Sequence, residues 1–116
     1  MDPAAQDALF TALAHATRRR MLDLLVEHPG IGVAALASHF DVSRIAVQKH
    51  LKVLEAGGLV LSKKLGRTRH LYFNPVPVQQ VYDRWTDQYS AFWAGRLADL
   101  KASVEAKAQG QEHRRA

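Results

Sequence analysis

The side chains best equipped for recognition chemistry crowd into one stretch. Ser43, Arg44, Ile45, Gln48, Lys49 and Lys52 supply a hydroxyl, a guanidinium, an aliphatic group, an amide and two ammonium groups within ten residues. Those groups suit the edge of a nucleic-acid duplex. Arg and Lys meet phosphates and guanine edges, Gln meets adenine, and a small aliphatic meets a thymine methyl. Between them, Val47, Leu51 and Leu54 recur at i, i+4 and i+7, which places them together on the opposite face of a helix. Ser43 is a good N-cap, and Gly57-Gly58 suits a left-handed stop. The spacing therefore predicts a helix from Arg44 to Ala56 with an apolar back and a cationic front. An ordinary amphipathic helix with a solvated polar face has the same pattern, so other features must decide.

Charge is one of them. The stretch 41–73 holds seven basic residues (Arg44, Lys49, Lys52, Lys63, Lys64, Arg67, Arg69) against Asp41 and Glu55. Seven less two is five, the whole formal net charge of +5. A basic surplus confined to one part of a fold is the footprint of a polyanionic partner. Acidic proteins and membrane surfaces attract such patches as well.

The elements that must position these groups come next. At 116 residues the chain reads as one domain, 1–106, with a flexible polar tail, 107–116. Asp2-Pro3 opens a first helix, about Ala4 to Ala14, with Leu9, Phe10 and Leu13 on its apolar side. Thr17 is read as the cap of a second helix, Arg18 to about Glu27, buried through Met21, Leu22, Leu24 and Leu25. Arg18, Arg19 and Arg20 fall in its first turn, where the helix dipole disfavours cations, so carboxylate partners elsewhere are expected for them, with phosphate contact the alternative. Val33 to Phe40 reads as a short third helix. With the turn at Asp41 and the helix after it, this is a helix-turn-helix over 33–56. The period then changes to two. Leu59 to Lys64 and Thr68 to Phe73 form a hairpin over 59–73 around Gly66, bearing Lys63, Lys64, Arg67 and Arg69. The expected class is mainly α with a small β-hairpin: a winged helix-turn-helix with dimerisation helices at both ends.

A last helical region, 76–106, carries Trp85, Tyr89, Phe92 and Leu97 on a long apolar stripe with Trp93 beside it, a stripe that could also cover the chain's own core. About 30 residues of helix would run about 45 Å, so a bend is expected, with Gly95 the weakest point. An apolar stripe of this size wants a partner surface. A two-fold homodimer joining Leu9, Phe10 and Leu13 with Trp85, Tyr89, Phe92, Trp93 and Leu97 is the simplest arrangement.

Several functions lack their residues. There is no cysteine, hence no disulfide, thiolate metal site or cysteine nucleophile. The six histidines show no H-x3-H pair, and no Gly-rich phosphate loop or Gly-x-Ser-x-Gly is present. Neither enzyme activity nor a metal or other cofactor is expected. The N-terminus lacks a basic secretory region and no apolar run reaches membrane length, so a cytoplasmic location without membrane contact is expected. Duplex DNA is the expected partner. The other class left standing is a winged helix used for protein–protein contact.

The segments LAHATRRRMLDLL (13–25), LASHFDVSRIAVQKHLKVLEAGGLV (36–60) and KKLGRTRHLYFNP (63–75) together resemble the ArsR family of bacterial winged helix-turn-helix regulators. DRWTDQYSAFW (83–93) is similar to members ending in an aromatic dimer helix. The resemblance implies a symmetric dimer on operator DNA, usually repressing until an inducer binds. It also implies that His50 lies at or near a phosphate, although a half-buried helix position would explain His50 equally well. Metal-sensing relatives carry Cys-x-Cys before the reading helix, or paired Asp and His on the last helix. Here the first positions fall near Gly32 and Ala34. The last helix has Asp83, Asp87 and Asp99, and the only later histidine is His113. The chain thus resembles the branch without the known metal boxes; its sensor is something else or nothing, and no small-molecule or metal effector is evident.

Overall fold

Most elements of the computed structural model begin or end at a local cause. It describes residues 1–87 and 90–115, with side chains for 1–87 and 92–110. Helix α1 (Pro3–Leu13) starts where Asp2 Oδ1 accepts the N–H of Ala5 at 2.7 Å, with proline at the first position. Helix α2 spans Ala16–Glu27, and its cap is His15, whose Nδ1 accepts from the N–H of Thr17 at 3.2 Å. Thr17, expected as the cap, is already inside the helix. An imidazole nitrogen here does the work usually left to Ser or Asp.

A two-residue strand, β1 (Ile31–Gly32), precedes α3 (Val33–Ala37). The third helix stops three residues short of Phe40. After the turn, α4 runs Arg44–Ala56, with Ser43 Oγ accepting from Ala46 N–H at 3.1 Å. Its end is a Schellman closure. Leu59 N–H reaches Leu54 O at 3.0 Å, and Gly58 N–H reaches Glu55 O at 2.9 Å. The left-handed residue is Gly58, at φ 75°. Gly57 is needed for a different reason: a Cβ there would lie 2.9 Å from Ala12 Cβ and 3.0 Å from Ala8 O. Helix α1 therefore packs directly against the end of α4.

Strands β2 (Val60–Leu65) and β3 (Thr68–Phe73) pair antiparallel from Val60↔Phe73 to Leu65↔Thr68, closed by Gly66-Arg67 with Gly66 at φ 63°. β1 joins the other side of β3 through Ile31↔Leu71 and Gly32↔His70, so the expected hairpin is a three-stranded sheet of order β1-β3-β2. The core lies where helices and sheet meet. Leu9, Met21, Leu25, Leu36, Leu54 and Leu71 are among its fully buried members.

Helix α5 (Val76–Thr86) follows Asn74, whose Oδ1 accepts from Val76 N–H and whose Nδ2 donates to Gly58 O. The chain divides into two compact units, Met1–Val81 and Tyr82–Ala116. In the second, α6 spans Ser90–Arg115. It passes uninterrupted through Gly95, so the expected bend is absent there; α5 ends at Thr86 instead. Helix also continues through most of the expected tail, to Arg115. Among the described residues no helix is long and apolar enough to cross a membrane.

Candidate nucleic-acid interface

Helix α4 presents what its periodicity promised. Val47, Leu51 and Leu54 are buried, while Ser43, Arg44, Ile45, Gln48, Lys49 and Lys52 are exposed. Ile45 is 66% exposed, an unusual state for an isoleucine on an otherwise polar face and one that suits an apolar contact outside the chain.

The sheet pleat sorts the basic residues of the wing. Because side chains alternate along a strand, Ser62, Lys64 and Arg69 share the face of the buried Leu71, and Lys63 takes the other face with Leu61 and Leu65. Arg67 sits in the exposed turn. Two adjoining depressions separate α4 from the wing. One, of about 380 Å³, is lined by residues including Ile45, Gln48, Lys52, Glu55 and Arg69. The other, of about 470 Å³, is lined by Arg44, Gln48, Arg67, Thr68 and Arg69 beside the start of α3. The fold thus brings Arg44, Gln48, Arg67 and Arg69 together from two elements. Lys63 and Lys64 do not line either depression.

Two of the expected contact residues have partners inside the protein. Arg69 Nη2 lies 2.5 Å from Glu55 Oε1 and 3.1 Å from Ser62 Oγ, so this arm of the guanidinium is engaged inside the protein. His50 is half-buried and turned toward the α1–α2 junction. Its Nδ1 lies 3.3 Å from Arg18 Nη1, and its ring centroid is 4.7 Å from that of His15. A guanidinium can only donate, so Nδ1 accepts and the ring is neutral. Burial lowers the His50 pKa below its ordinary value, with smaller contributions from His15 and Arg18.

Arg18 and Arg19 find backbone oxygens where carboxylates were expected. Arg18 donates to Ala12 O at 2.9 Å and Thr11 O at 2.8 Å; Arg19 donates to Leu13 O at 2.6 Å. These carbonyls end α1, where the helix dipole favours cations. The arginines that open α2 therefore close α1. Arg20 lies over the Phe40 ring at 5.8 Å. No local pattern announces such contacts, because the acceptors belong to another helix.

The residues expected at a subunit interface divide. Leu9 is 1% exposed and belongs to the core of its own chain, Leu13 packs against that core, and Phe10 is exposed. Trp85, Phe92, Trp93 and Leu97 are all more than half exposed; Tyr89 lies outside the described residues. On α6, Trp93, Leu97, Leu100 and Val104 follow i, i+4, i+7 and i+11 and form one face. Phe92 is off that line, with the Arg96 guanidinium 4.5 Å above its ring. Among the described residues no three His, Cys, Asp or Glu side chains gather in a metal-binding group.

A capped helix with an exposed polar front, beside a basic antiparallel ribbon, defines a winged helix-turn-helix domain. Residues 13–63 match the model of a helix-turn-helix domain family. The HTH-type transcriptional regulator Rv2034 of Mycobacterium tuberculosis is 42% identical over 101 residues, 87% of this chain and 90% of that protein. The crystal structure of the ArsR family transcriptional regulator RHA00566 is 31% identical with a TM-score of 0.68, covering 81% of this chain and 95% of that one. A solution structure of the homodimeric winged helix-turn-helix DNA-binding domain of Mb0332 from Mycobacterium bovis shares the fold at a TM-score of 0.58. It is 21% identical and covers 75% of this chain and 82% of that one. The chain belongs to the ArsR family of winged helix-turn-helix transcriptional regulators.

Proposed function

We propose that the protein is a homodimeric, sequence-specific DNA-binding repressor that occupies an inverted-repeat operator and does not sense metal through thiolates. The observation that carries this reading is the exposed front of α4, with Arg44 and Gln48 beside Arg67 of the wing and Lys49 exposed on the same helix. Ser43, Arg44, Ile45, Gln48 and Lys49 meet base edges and the nearest phosphates in the major groove. Lys52, Lys63, Lys64 and Arg67 hold the backbone on either side, which fixes register without reading sequence. His50 supports the reading helix from behind.

The dimer reading rests on the apolar face of α6 from Trp93 to Val104 and on the exposed Phe10 of α1. A stripe of this length is costly to leave in water, and a second copy can bury it in a closed, self-complementary contact. The Mycobacterium bovis domain that shares the fold is itself homodimeric. Two linked reading helices then enter successive major grooves about 34–36 Å apart. Bound at a promoter, the dimer excludes polymerase. The protein works by binding and not by catalysis.

A salt titration tests the partner. Bound to duplex DNA, the protein should lose affinity with a slope of about 0.9 in log K per log salt for each phosphate neutralised. Binding that depends only weakly on salt and is indifferent to DNA sequence would instead favour a winged helix built for protein contact.

A further inference from the structure

The Arg69–Glu55 pair has features that an incidental surface ion pair lacks. Glu55 is on the last turn of α4, on the same face as Gln48 and Lys52. A carboxylate there would repel a polyanion unless neutralised. Arg69 neutralises it from the wing at 2.5 Å and also donates to Ser62 Oγ on the facing strand at 3.1 Å. A single guanidinium nitrogen, Nη2, thus ties β3, β2 and α4 together.

Its position in the sheet is equally telling. The pairing of β1 with β3 reaches only Gly32↔His70. Arg69 is the next residue outward. Beyond that point the wing is a two-stranded ribbon through Lys64↔Arg69 and Leu65↔Thr68 to the Gly66 turn. Two-stranded ribbons are marginal by themselves and twist strongly. The basic tip bearing Lys64 and Arg67 therefore begins where support from β1 stops, and the Arg69 bond to Glu55 sits at that root.

We infer that Arg69 and Glu55 form a latch that sets the angle between wing and reading helix, making both positioning residues for sequence discrimination. Arg69 acts through the wing and is not a phosphate ligand. The inference rests on the DNA-binding reading and adds to it how the two halves of the interface are kept in register.

The decisive variant is Glu55→Ala, because the alternatives predict opposite signs. The probes are a duplex recovered by the wild-type protein from a random-sequence pool and a scrambled duplex of equal length. If the latch operates, affinity for the recovered duplex falls about three- to fivefold, the scale of a half-exposed ion pair, while scrambled DNA is bound as before. If Glu55 is merely a repelling carboxylate, or Arg69 a phosphate ligand held in check, the variant binds both duplexes equally or more tightly, and the latch is overturned.

A second arm needs no DNA. In the free protein, amide exchange from Lys63 to Arg69 should quicken in Glu55→Ala and in Arg69→Gln. It should slow again when Glu55→Arg is combined with Arg69→Glu. Unchanged exchange in both single variants overturns the latch. If the wild-type chain takes up no duplex at low salt, the DNA-binding reading fails, and the exchange arm still decides whether the wing is latched.

Discussion

Arg44 and Arg67 are chemically alike and placed for different work. Arg44 opens the reading helix beside Gln48, whereas Arg67 is in the wing turn. Arg44→Ala should flatten sequence preference and cost about 1–3 kcal/mol on the best site. Arg67→Ala should weaken all duplexes about equally and reduce the salt slope by about one. Competition binding over a panel of single-base variants separates the two; an unchanged preference in Arg44→Ala removes Arg44 from the readers. His50 carries a prediction of another kind. Its folded-state pKa lies below the ordinary 6.5, first through burial and then through the electrostatic effect of His15 and Arg18. The folded state therefore resists a proton that the unfolded chain accepts. The stability linked to this group is complete above about pH 6.5 and is lost as pH falls through the folded-state value. Urea midpoints at pH 7.5 and 5.5 should show a smaller acid loss in His50→Gln than in the wild-type chain. Equal losses would mean that the Arg18–His50 contact does not couple to protonation.

Helix α1 is too short and alanine-rich to persist alone; it depends on its seat against α4. Gly57→Ala would force Ala12 and the Ala8 carbonyl to move, at a cost of about 1–3 kcal/mol. Equilibrium unfolding checks this, and an unchanged midpoint would show that α1 rides loosely. The elements that could be foreseen are those built from neighbouring residues. Ser43 capping Ala46, the Val47–Leu51–Leu54 face and the strand Thr68–Phe73 each follow from a few adjacent side chains. What escaped depends on residues far apart in sequence. Ile31–Gly32 are too few to show a period and become a strand only because Leu71 and His70 pass beside them. Arg18 and Arg19 look like misplaced cations until the end of α1 comes within reach. Glu55 looks like one more solvated charge until Arg69 folds over it. Gly95 was the reverse case: a low helix propensity costs only about 1 kcal/mol, and α6 continues through it.

At the level of the whole molecule, the proposed dimer makes two chains act together. The α6 face of Trp93, Leu97, Leu100 and Val104 is the surface to disrupt. Leu97→Asp, at a residue 64% exposed within the chain, should leave unfolding of the first unit unchanged while shifting sedimentation from dimer to monomer. It should also lower operator affinity sharply, since each half then binds without the other. The most direct test of the central claim is selection of bound duplexes from a fully random pool by the wild-type protein. A two-fold symmetric consensus whose half-sites lie about one helical turn apart is expected, recovered less efficiently as salt rises. A pool that emerges without a consensus, or with a single unpaired half-site, would contradict it.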